Sequence, residues 1–420
     1  MFCAKIKGFC YKPSLFYKFD VLLVLKTMKN IIFKTISLFS ILCFLACQNS
    51  GSKDSDVNVF DIDEQSDIDS PSYTSTPESD YFAIHLQGTI DDKHDIEMFL
   101  YKNETEFNGY YFYTKYGKTI LLNGSLKGNG KLYLSEEQRA EYQTTGFFDG
   151  QFSSDFVFSG NWTNSANSKK MDFELYPTQV IDLDFSEQTY ETTHQLSGNN
   201  DGPICSINIR YPEPVEATNC KNPEKLKKTF GKFFFGDHYT GNTQNDLQSL
   251  AKSFHNMFND EYAFVEESEM KHMMDWEFIC NAGIEYADGR VISMIRNSSY
   301  YTGGAHGEYY KDFVHYSIVL GRAFTLNDII NPLKEKDIVK IIRKYLVDAM
   351  RLDSEEELNN ILLEEVFIPE AFCFTKTELI FVYNIYHIAP YVFGIIEVAV
   401  PYTELSSYLK PASPISHLYN

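Results

Sequence analysis

Apolar and polar residues alternate with a period of two over residues 81–183. The alternation is clearest in Phe107–Tyr113, Gly146–Phe152 and Phe156–Trp162. Gly, Asn and Asp interrupt it at intervals of roughly ten residues, and short alternating runs between such turn residues are typical of antiparallel hairpins. We therefore predict an all-β antiparallel meander or small barrel over residues 81–183.

The pattern changes after a connector predicted at residues 184–195. Apolar residues recur at intervals of three and four in residues 243–259 and 334–351, which predicts amphipathic helices. Alternating segments lie between and after these helices, and Asp288-Gly289 marks a hairpin turn. Because strands and helices are partly segregated, we predict an α+β domain over residues 196–420, with a mixed antiparallel sheet and amphipathic helices.

The N-terminal segment has the pattern of a secretory signal. Met28 opens a short basic stretch, Thr35–Leu45 forms an apolar core, and a small residue precedes Cys47. Phe44–Cys47 resembles the lipobox of a bacterial lipoprotein, although leucine is commoner than phenylalanine at its first position. We predict a signal segment at residues 1–46, with translation starting at Met28, and lipidation of Cys47. A plain signal peptide with an incidental cysteine is the alternative.

Residues 47–80 are predicted to be a disordered acidic tether between the lipid and the folded part. Residues 48–80 contain nine acidic residues, one lysine and several Gly, Ser, Thr and Pro residues. Such a composition buries too little apolar surface to fold. The predicted location is therefore the bacterial envelope, with the protein anchored by lipid to a membrane, the outer membrane being favoured, on its periplasmic or surface face.

The net charge limits the classes of partner. The whole chain has 37 basic and 58 acidic residues, a formal net charge of −21. Residues 1–46 contain seven lysines and one aspartate, so the mature chain would have 30 basic and 57 acidic residues, a net charge of −27. Such a chain repels phosphate backbones, so nucleic acid is not an expected partner, whereas a cationic protein would be attracted.

Four cysteines follow Cys47. Cys205 and Cys220 lie close together in sequence and would form a disulfide in an oxidising compartment, or stay as thiols. Cys280 and Cys373 lie in apolar, strand-like runs and are expected to be buried thiols. No spacing of Cys or His residues indicates a metal site, and no cofactor motif is present.

Three motif segments resemble one domain family over about residues 196–410. The segments are Tyr300–His306, Phe324–Ile330, and Leu379–Tyr391 with Gly394 and Val400–Leu405. Their order and spacing are similar to a domain of unknown general function in bacterial envelope proteins. That domain occurs in the extracytoplasmic half of lysozyme-sensing anti-sigma factors, beside some polysaccharide deacetylases, and in many lipoproteins.

The resemblance implies binding of lysozyme or another cell-wall-related ligand. It does not imply sigma-factor control or deacetylation, because the sequence has neither a transmembrane helix with a cytosolic segment nor a deacetylase domain. We therefore expect a non-enzymatic, lipid-anchored binding protein. The alternatives are an enzyme of cell-wall or glycan metabolism and a structural envelope lipoprotein.

The first motif segment supplies most of the candidate site residues. No nucleophile in the sequence matches His306, so a hydrogen bond from its imidazole to a backbone carbonyl is the favoured interpretation, ahead of ligand contact, catalysis or metal binding. Gly303 and Gly304 are expected to set the backbone geometry. Three tyrosines are candidates for an aromatic contact surface, with burial in the core as an equal alternative: Tyr300, Tyr301 and Tyr391.

Overall fold

Eight antiparallel strands form a closed barrel in the computed structural model of the protein. Each strand pairs with the next, and the last pairs with the first. The predicted all-β region is thereby confirmed, as a closed barrel. The strands are β1 (Tyr81–Ile90), β2 (His94–Asn103), β3 (Glu106–Tyr113), β4 (Ile120–Leu126), β5 (Leu132–Glu137), β6 (Thr144–Phe152), β7 (Phe158–Asn164) and β8 (Lys170–Asp182).

The structure describes residues 80–127, 130–139, 143–196, 202–215, 220–266 and 273–419, all within one compact unit. The predictions for residues 1–79, including Cys47, lie outside the described residues. In the described part of the chain, no helix has both the length and the apolar character that crossing a membrane requires.

Strand β1 is buried on both of its faces. Phe82 and Ile84 point into the barrel core, as the period of two requires. The alternate residues face outwards but are covered: Tyr81 packs on Phe185, and the His85 imidazole lies 3.0 Å from the Ala287 carbonyl oxygen. The barrel wall therefore has two apolar faces where it meets the rest of the chain, residues 185–419, which we name the C-terminal lobe.

The C-terminal lobe contains a six-stranded sheet with the order β14-β13-β12-β11-β10-β9. Strands β10 and β11 are parallel and the other neighbours are antiparallel, so the sheet is mixed. Its strands are β9 (Phe185–Gln195), β10 (Ile204–Pro214), β11 (Trp276–Ala287), β12 (Val291–Tyr301), β13 (Glu308–Ser317) and β14 (Arg322–Phe324).

The segment predicted as a connector, residues 184–195, is in fact the edge strand β9. It pairs with β10 along its whole length, from Phe185 opposite Pro214 to Gln195 opposite Ile204. The strand was missed because it is made mainly of Thr, Glu, Gln and Ser. Such residues are accepted at an edge, where one side of the strand has no neighbour and its side chains remain half-exposed.

The parallel strands β10 and β11 need a long crossover connection, and its described residues form two α-helices. They are α1 (Pro223–Phe235) and α2 (Thr243–Tyr262). The Asn242 side chain caps α2 by accepting the backbone N–H of Asn245 at 3.0 Å. The helices bury Phe230, Phe254 and neighbouring apolar residues. The helix predicted over residues 243–259 is thereby confirmed.

A three-stranded antiparallel sheet completes the C-terminal lobe. It has the order β15 (Phe372–Phe374), β16 (Glu378–Tyr383) and β17 (Ile396–Pro401). The helices around it are α3 (Leu326–Ile329), α4 (Glu335–Ala349), α5 (Glu355–Ile361) and α6 (Tyr402–Leu405), and single 3₁₀ turns occur at Gly236–His238, Pro332–Lys334, Tyr391–Phe393 and Ser416–Leu418. Together with the six-stranded sheet, this confirms a mixed sheet with helices.

Candidate functional site

The glycine segment Thr302–Gly307 joins the ends of β12 and β13. Gly303 and Gly304 have φ angles of +87° and +100°, a region that residues with a side chain rarely adopt. At Gly307 the requirement is space, because a Cβ atom there would lie 2.8 Å from the Tyr300 carbonyl oxygen. Glycine is therefore needed for the backbone path, which agrees with the role expected for Gly303 and Gly304.

His306, in this segment, lies flat against Tyr391. The two rings are 3.8 Å apart and 18° from parallel. His306 Nδ1 is 3.1 Å from the Gly307 carbonyl oxygen, so Nδ1 carries the proton and donates it. Nε2 is then an acceptor and lies 3.4 Å from the Tyr386 hydroxyl. The expected bond from the imidazole to a backbone carbonyl is present.

Asn384 brings the third motif segment next to the first. Its side-chain oxygen accepts the backbone N–H of Lys311 at 2.8 Å, and its side-chain nitrogen donates to the Lys311 carbonyl at 3.0 Å. This paired bond fixes the loop after β16 along β13. Tyr391, further along the loop, donates its hydroxyl to the Gly307 carbonyl at 2.8 Å. Two motif segments far apart in sequence thus meet.

An exposed cluster of rings results, which we name the aromatic surface. Tyr386 and Tyr309 are 45% and 36% exposed, their rings lie 5.7 and 5.9 Å from that of Tyr391, and Val392 is 84% exposed. Tyr386 has a φ angle of +63°, which is uncommon for a bulky residue and indicates that its surroundings hold it in place. The members are His306, Tyr309, Tyr386, Tyr391 and Val392.

Two of the predicted tyrosines lie beneath or beside this surface. Tyr300 stacks on Phe278, with ring centres 5.0 Å apart, and burial raises the pKa of Tyr300 to about 12. Tyr301 donates its hydroxyl to the Gly304 carbonyl at 3.2 Å and packs on Met274. Both support the glycine segment, whereas Tyr309 and Tyr386, which the sequence analysis did not single out, are exposed members of the surface.

The second motif segment has a structural role. The Asp328 carboxylate accepts the backbone N–H of Thr325 at 2.9 Å, in a capping box that starts α3. Phe324 packs against His315 and Phe374, between the two sheets of the C-terminal lobe. Within the described residues, no carboxylate forms a hydrogen bond with His306, and no group of three or more His, Cys, Asp or Glu residues is placed to hold a metal ion.

The four described cysteines are free thiols. Cys205 and Cys220 do not pair, because the extended strand β10 separates them. At about 3.3 Å per residue, the nine strand residues after Cys205 carry the chain about 30 Å. The six residues from there to Cys220 are too few to bring it back within the roughly 7 Å between Cα atoms that a disulfide needs. Cys280 and Cys373 are buried, as expected, and Cys373 packs with Ile380 and Val382 close to charged side chains.

A buried ion cluster joins the barrel to the C-terminal lobe. Its residues are far apart in the sequence, and no motif predicted it. The Glu397 carboxylate accepts hydrogen bonds from Arg139 of the barrel and from Lys311 of β13, the latter at 2.7 Å. Burial would raise the pKa of Glu397, but these two cations lower it to about 2. Burial raises the pKa of the neighbouring Glu285 to about 7. The one feature of the sequence that indicates this cluster is a glutamate within the apolar run of β17.

The fold and the site define a two-lobed protein, a barrel followed by an α+β lobe that exposes an aromatic surface. Residues 327–403 match the family model described as a protein of unknown function, DUF3298. Residues 199–309 match the family model described as deacetylase PdaC. The two matches cover less than half of the chain and confirm the domain family that the motif segments indicated.

Two solved structures that match part of this chain are both described as DUF3298 family members. A crystal structure of a DUF3298 family member from Bacteroides fragilis matches 56% of this chain and 95% of its own, with 21% identity and a TM-score of 0.51, a likeness of fold alone. A DUF3298 family protein from Pseudomonas aeruginosa matches 55% of this chain and 97% of its own, with 20% identity and a TM-score of 0.39. No curated protein matches the chain.

Proposed function

We propose that the protein is a non-enzymatic, lipid-anchored binding protein of the bacterial envelope whose aromatic surface contacts a cell-wall-related ligand. A cationic protein of the lysozyme class is the first candidate ligand. The signal pattern ending at Cys47 supports the anchor and the location. The resemblance of the motif segments supports the ligand class.

The aromatic surface is the observation that carries this proposal. Two of the three motif segments converge on it, and its rings are fixed before any ligand arrives, by the stacking of His306 on Tyr391 and the hydrogen bond from Tyr391 to Gly307. Rigid tyrosines lose little conformational entropy on binding and are enriched among the residues that dominate binding energy. An exposed, preorganised group of rings is therefore suited to recognition.

The acidic chain would favour a cationic partner. Without residues 1–46 the formal net charge is −27, with 30 basic and 57 acidic residues, and it attracts positive proteins over a distance set by the ionic strength. Electrostatic attraction of this kind mainly raises the association rate, so added salt should slow association more than it speeds dissociation. Contact between rings is much less sensitive to salt.

The test is titration of residues 48–420, which include every described residue, with hen-type lysozyme at two salt concentrations, alongside a lysozyme activity assay. The variant combines Tyr386→Ala and Val392→Ser, because both side chains are exposed members of the aromatic surface. The matched control is Tyr176→Ala, a tyrosine that is 53% exposed on the barrel. We expect the double variant to weaken binding by about tenfold or more, and the control to leave it unchanged.

Two outcomes would contradict the proposal in different ways. Absence of saturable binding at tens of micromolar would remove lysozyme as the ligand. Binding that the control weakens as much as the double variant does would show that the aromatic surface is not the contact site.

An enzyme of cell-wall or glycan metabolism is the second candidate, because residues 199–309 match the model described as a deacetylase. Such an activity needs a group that activates water or a nucleophile. Release of acetate from acetylated amino-sugar oligomers by residues 48–420 would favour this candidate, and it would redirect the search for a site away from the aromatic surface.

A further inference from the structure

A groove made of adjoining cavities lies between the barrel and the C-terminal lobe, away from the aromatic surface. It consists of three cavities of about 1090, 210 and 640 Å³. The first two share Arg139 and Glu397, and the last two share Glu285 and Lys311, so the buried ion cluster forms the middle of the groove. The volumes of the two end cavities are in or near the range of known ligand sites.

Tyrosines line the larger end of the groove on three sides. Tyr116 comes from the loop between β3 and β4 and is 72% exposed. Tyr345 belongs to α4 and is partly exposed, as is Tyr419. Tyr402, which is only 5% exposed, supports Tyr419 from beneath, with ring centres 5.2 Å apart. The face of an aromatic ring is electron-rich and attracts the polarised C–H groups on the face of a sugar ring.

Carboxamides line the other end. Asn123 extends from the barrel, and Asn281 and Asn297 extend from β11 and β12 on the opposite wall. Asn123 and Asn297 are exposed. A carboxamide offers both donors and an acceptor on one group, and therefore matches the hydroxyl groups of a sugar, which also donate and accept.

The charge of the groove excludes a polyanionic occupant. Eight acidic and five basic side chains line the three cavities. The two cations in the middle cavity, Arg139 and Lys311, are already paired with Glu397. A ligand with many carboxylates or sulfates would meet a net negative field. An uncharged ligand avoids this repulsion and gains from the rings and carboxamides.

We propose that the groove between the barrel and the C-terminal lobe binds an uncharged linear oligosaccharide. Its sugar faces stack on the tyrosines of the larger end, and its hydroxyl groups bond to the carboxamides of the other end. The largest cavity, about 1090 Å³, has room for more than one sugar ring. This site is distinct from the aromatic surface and does not depend on the identity of the ligand there.

The test is calorimetric titration of residues 48–420 with three uncharged tetrasaccharides, chitotetraose, cellotetraose and maltotetraose, and with tetragalacturonate as the anionic comparison. We expect saturable binding of at least one uncharged tetramer and none of tetragalacturonate. Tyr116→Ala and Asn297→Ala, at opposite ends of the groove, should each weaken that binding by about tenfold. Tyr176→Ala, outside the groove, should leave it unchanged.

The variants also separate this proposal from the proposed function. The Tyr386→Ala and Val392→Ser double variant should bind the oligosaccharide normally, whether or not lysozyme binds. No saturable binding of any uncharged tetramer up to about 10 mM would overturn the proposal. Equal binding of tetragalacturonate would overturn the argument from charge. Loss of oligosaccharide binding only in the double variant would show that the ligand binds at the aromatic surface and not in the groove.

Discussion

Glu397→Gln tests whether the buried ion cluster holds the two lobes together. In the native protein the carboxylate accepts hydrogen bonds from both Arg139 and Lys311, and the side chains of Arg139 and Glu397 are only 16% and 12% exposed. Glutamine keeps the shape but removes the charge. The two cations would then share a largely buried site whose remaining carboxyls are Glu285 and Glu378, and burial raises the pKa of both.

The magnitude follows from the pKa of Glu397. Its value falls from 4.5 to about 2 on folding, because the two cations outweigh the effect of burial. At about 1.36 kcal/mol per pKa unit, this change corresponds to roughly 3 kcal/mol in favour of the folded state at neutral pH. Breaking a buried pair by removing one partner typically costs about 3–5 kcal/mol, which is consistent.

The sign of the pH dependence is fixed as well. A carboxylate with a lowered pKa stabilises the folded state above its unfolded pKa of 4.5, and this stabilisation is lost as the pH falls towards 2. Urea unfolding of native and variant protein should therefore show a difference of about 3 kcal/mol at pH 7 and roughly half of that at pH 3.

Glu404→Gln is the matched control. Glu404 forms an ion pair with Lys344 at 3.5 Å, but the two side chains are 41% and 67% exposed, so its loss should cost at most about 0.5 kcal/mol. Two results would refute the assignment of stability to this cluster. One is a decrease in the free energy of unfolding of less than about 1 kcal/mol for Glu397→Gln at pH 7. The other is a decrease of equal size at pH 7 and pH 3.

Three further predictions concern single sites. Compared with the native protein, Glu285→Gln should raise the free energy of unfolding by about 1–3 kcal/mol more at pH 8 than at pH 5, measured in urea. Burial raises the pKa of Glu285 from 4.5 to about 7, so the native protein loses stability between these pH values, where the carboxyl ionises in the unfolded chain first. The same difference at both pH values would contradict this. Gly304→Ala should lower the free energy of unfolding by about 1–2 kcal/mol, since its φ angle is +100°; Ala305→Gly, the adjacent control, should cost less. Cys205 and Cys220 should both be alkylated after denaturation without reductant, and detection of a linked peptide by mass spectrometry would contradict the free thiols.

The sequence predicted the elements whose pattern is periodic. Period-two segments separated by Gly and Asn became the barrel, and the stripe of Leu247, Phe254 and Phe258 became the buried face of α2. It did not predict β9, because an edge strand accepts polar residues on its free side and then lacks the alternation. Local pattern thus identifies elements with one buried face.

The site was predictable only in part, because its residues come together through tertiary contacts. The glycine segment was visible, since a chain keeps Gly303 and Gly304 together only where the backbone needs them. Tyr386 was not singled out, because nothing in its own segment shows that Asn384 fixes the loop along β13. A side chain that positions another segment gives no local signal of its partner.

The barrel explains why so many aromatic residues are present. His85, Phe99 and Tyr101 lie on its outer wall, where a free barrel would carry polar residues, and they pack against Tyr286 and one another. This apolar contact lies beside the groove, and the ion cluster of Arg139, Lys311 and Glu397 lies within it. Apolar packing holds the two lobes together without specifying their register, whereas paired charges contributed by both lobes favour one arrangement. The groove, whose walls come from both lobes, depends on that arrangement.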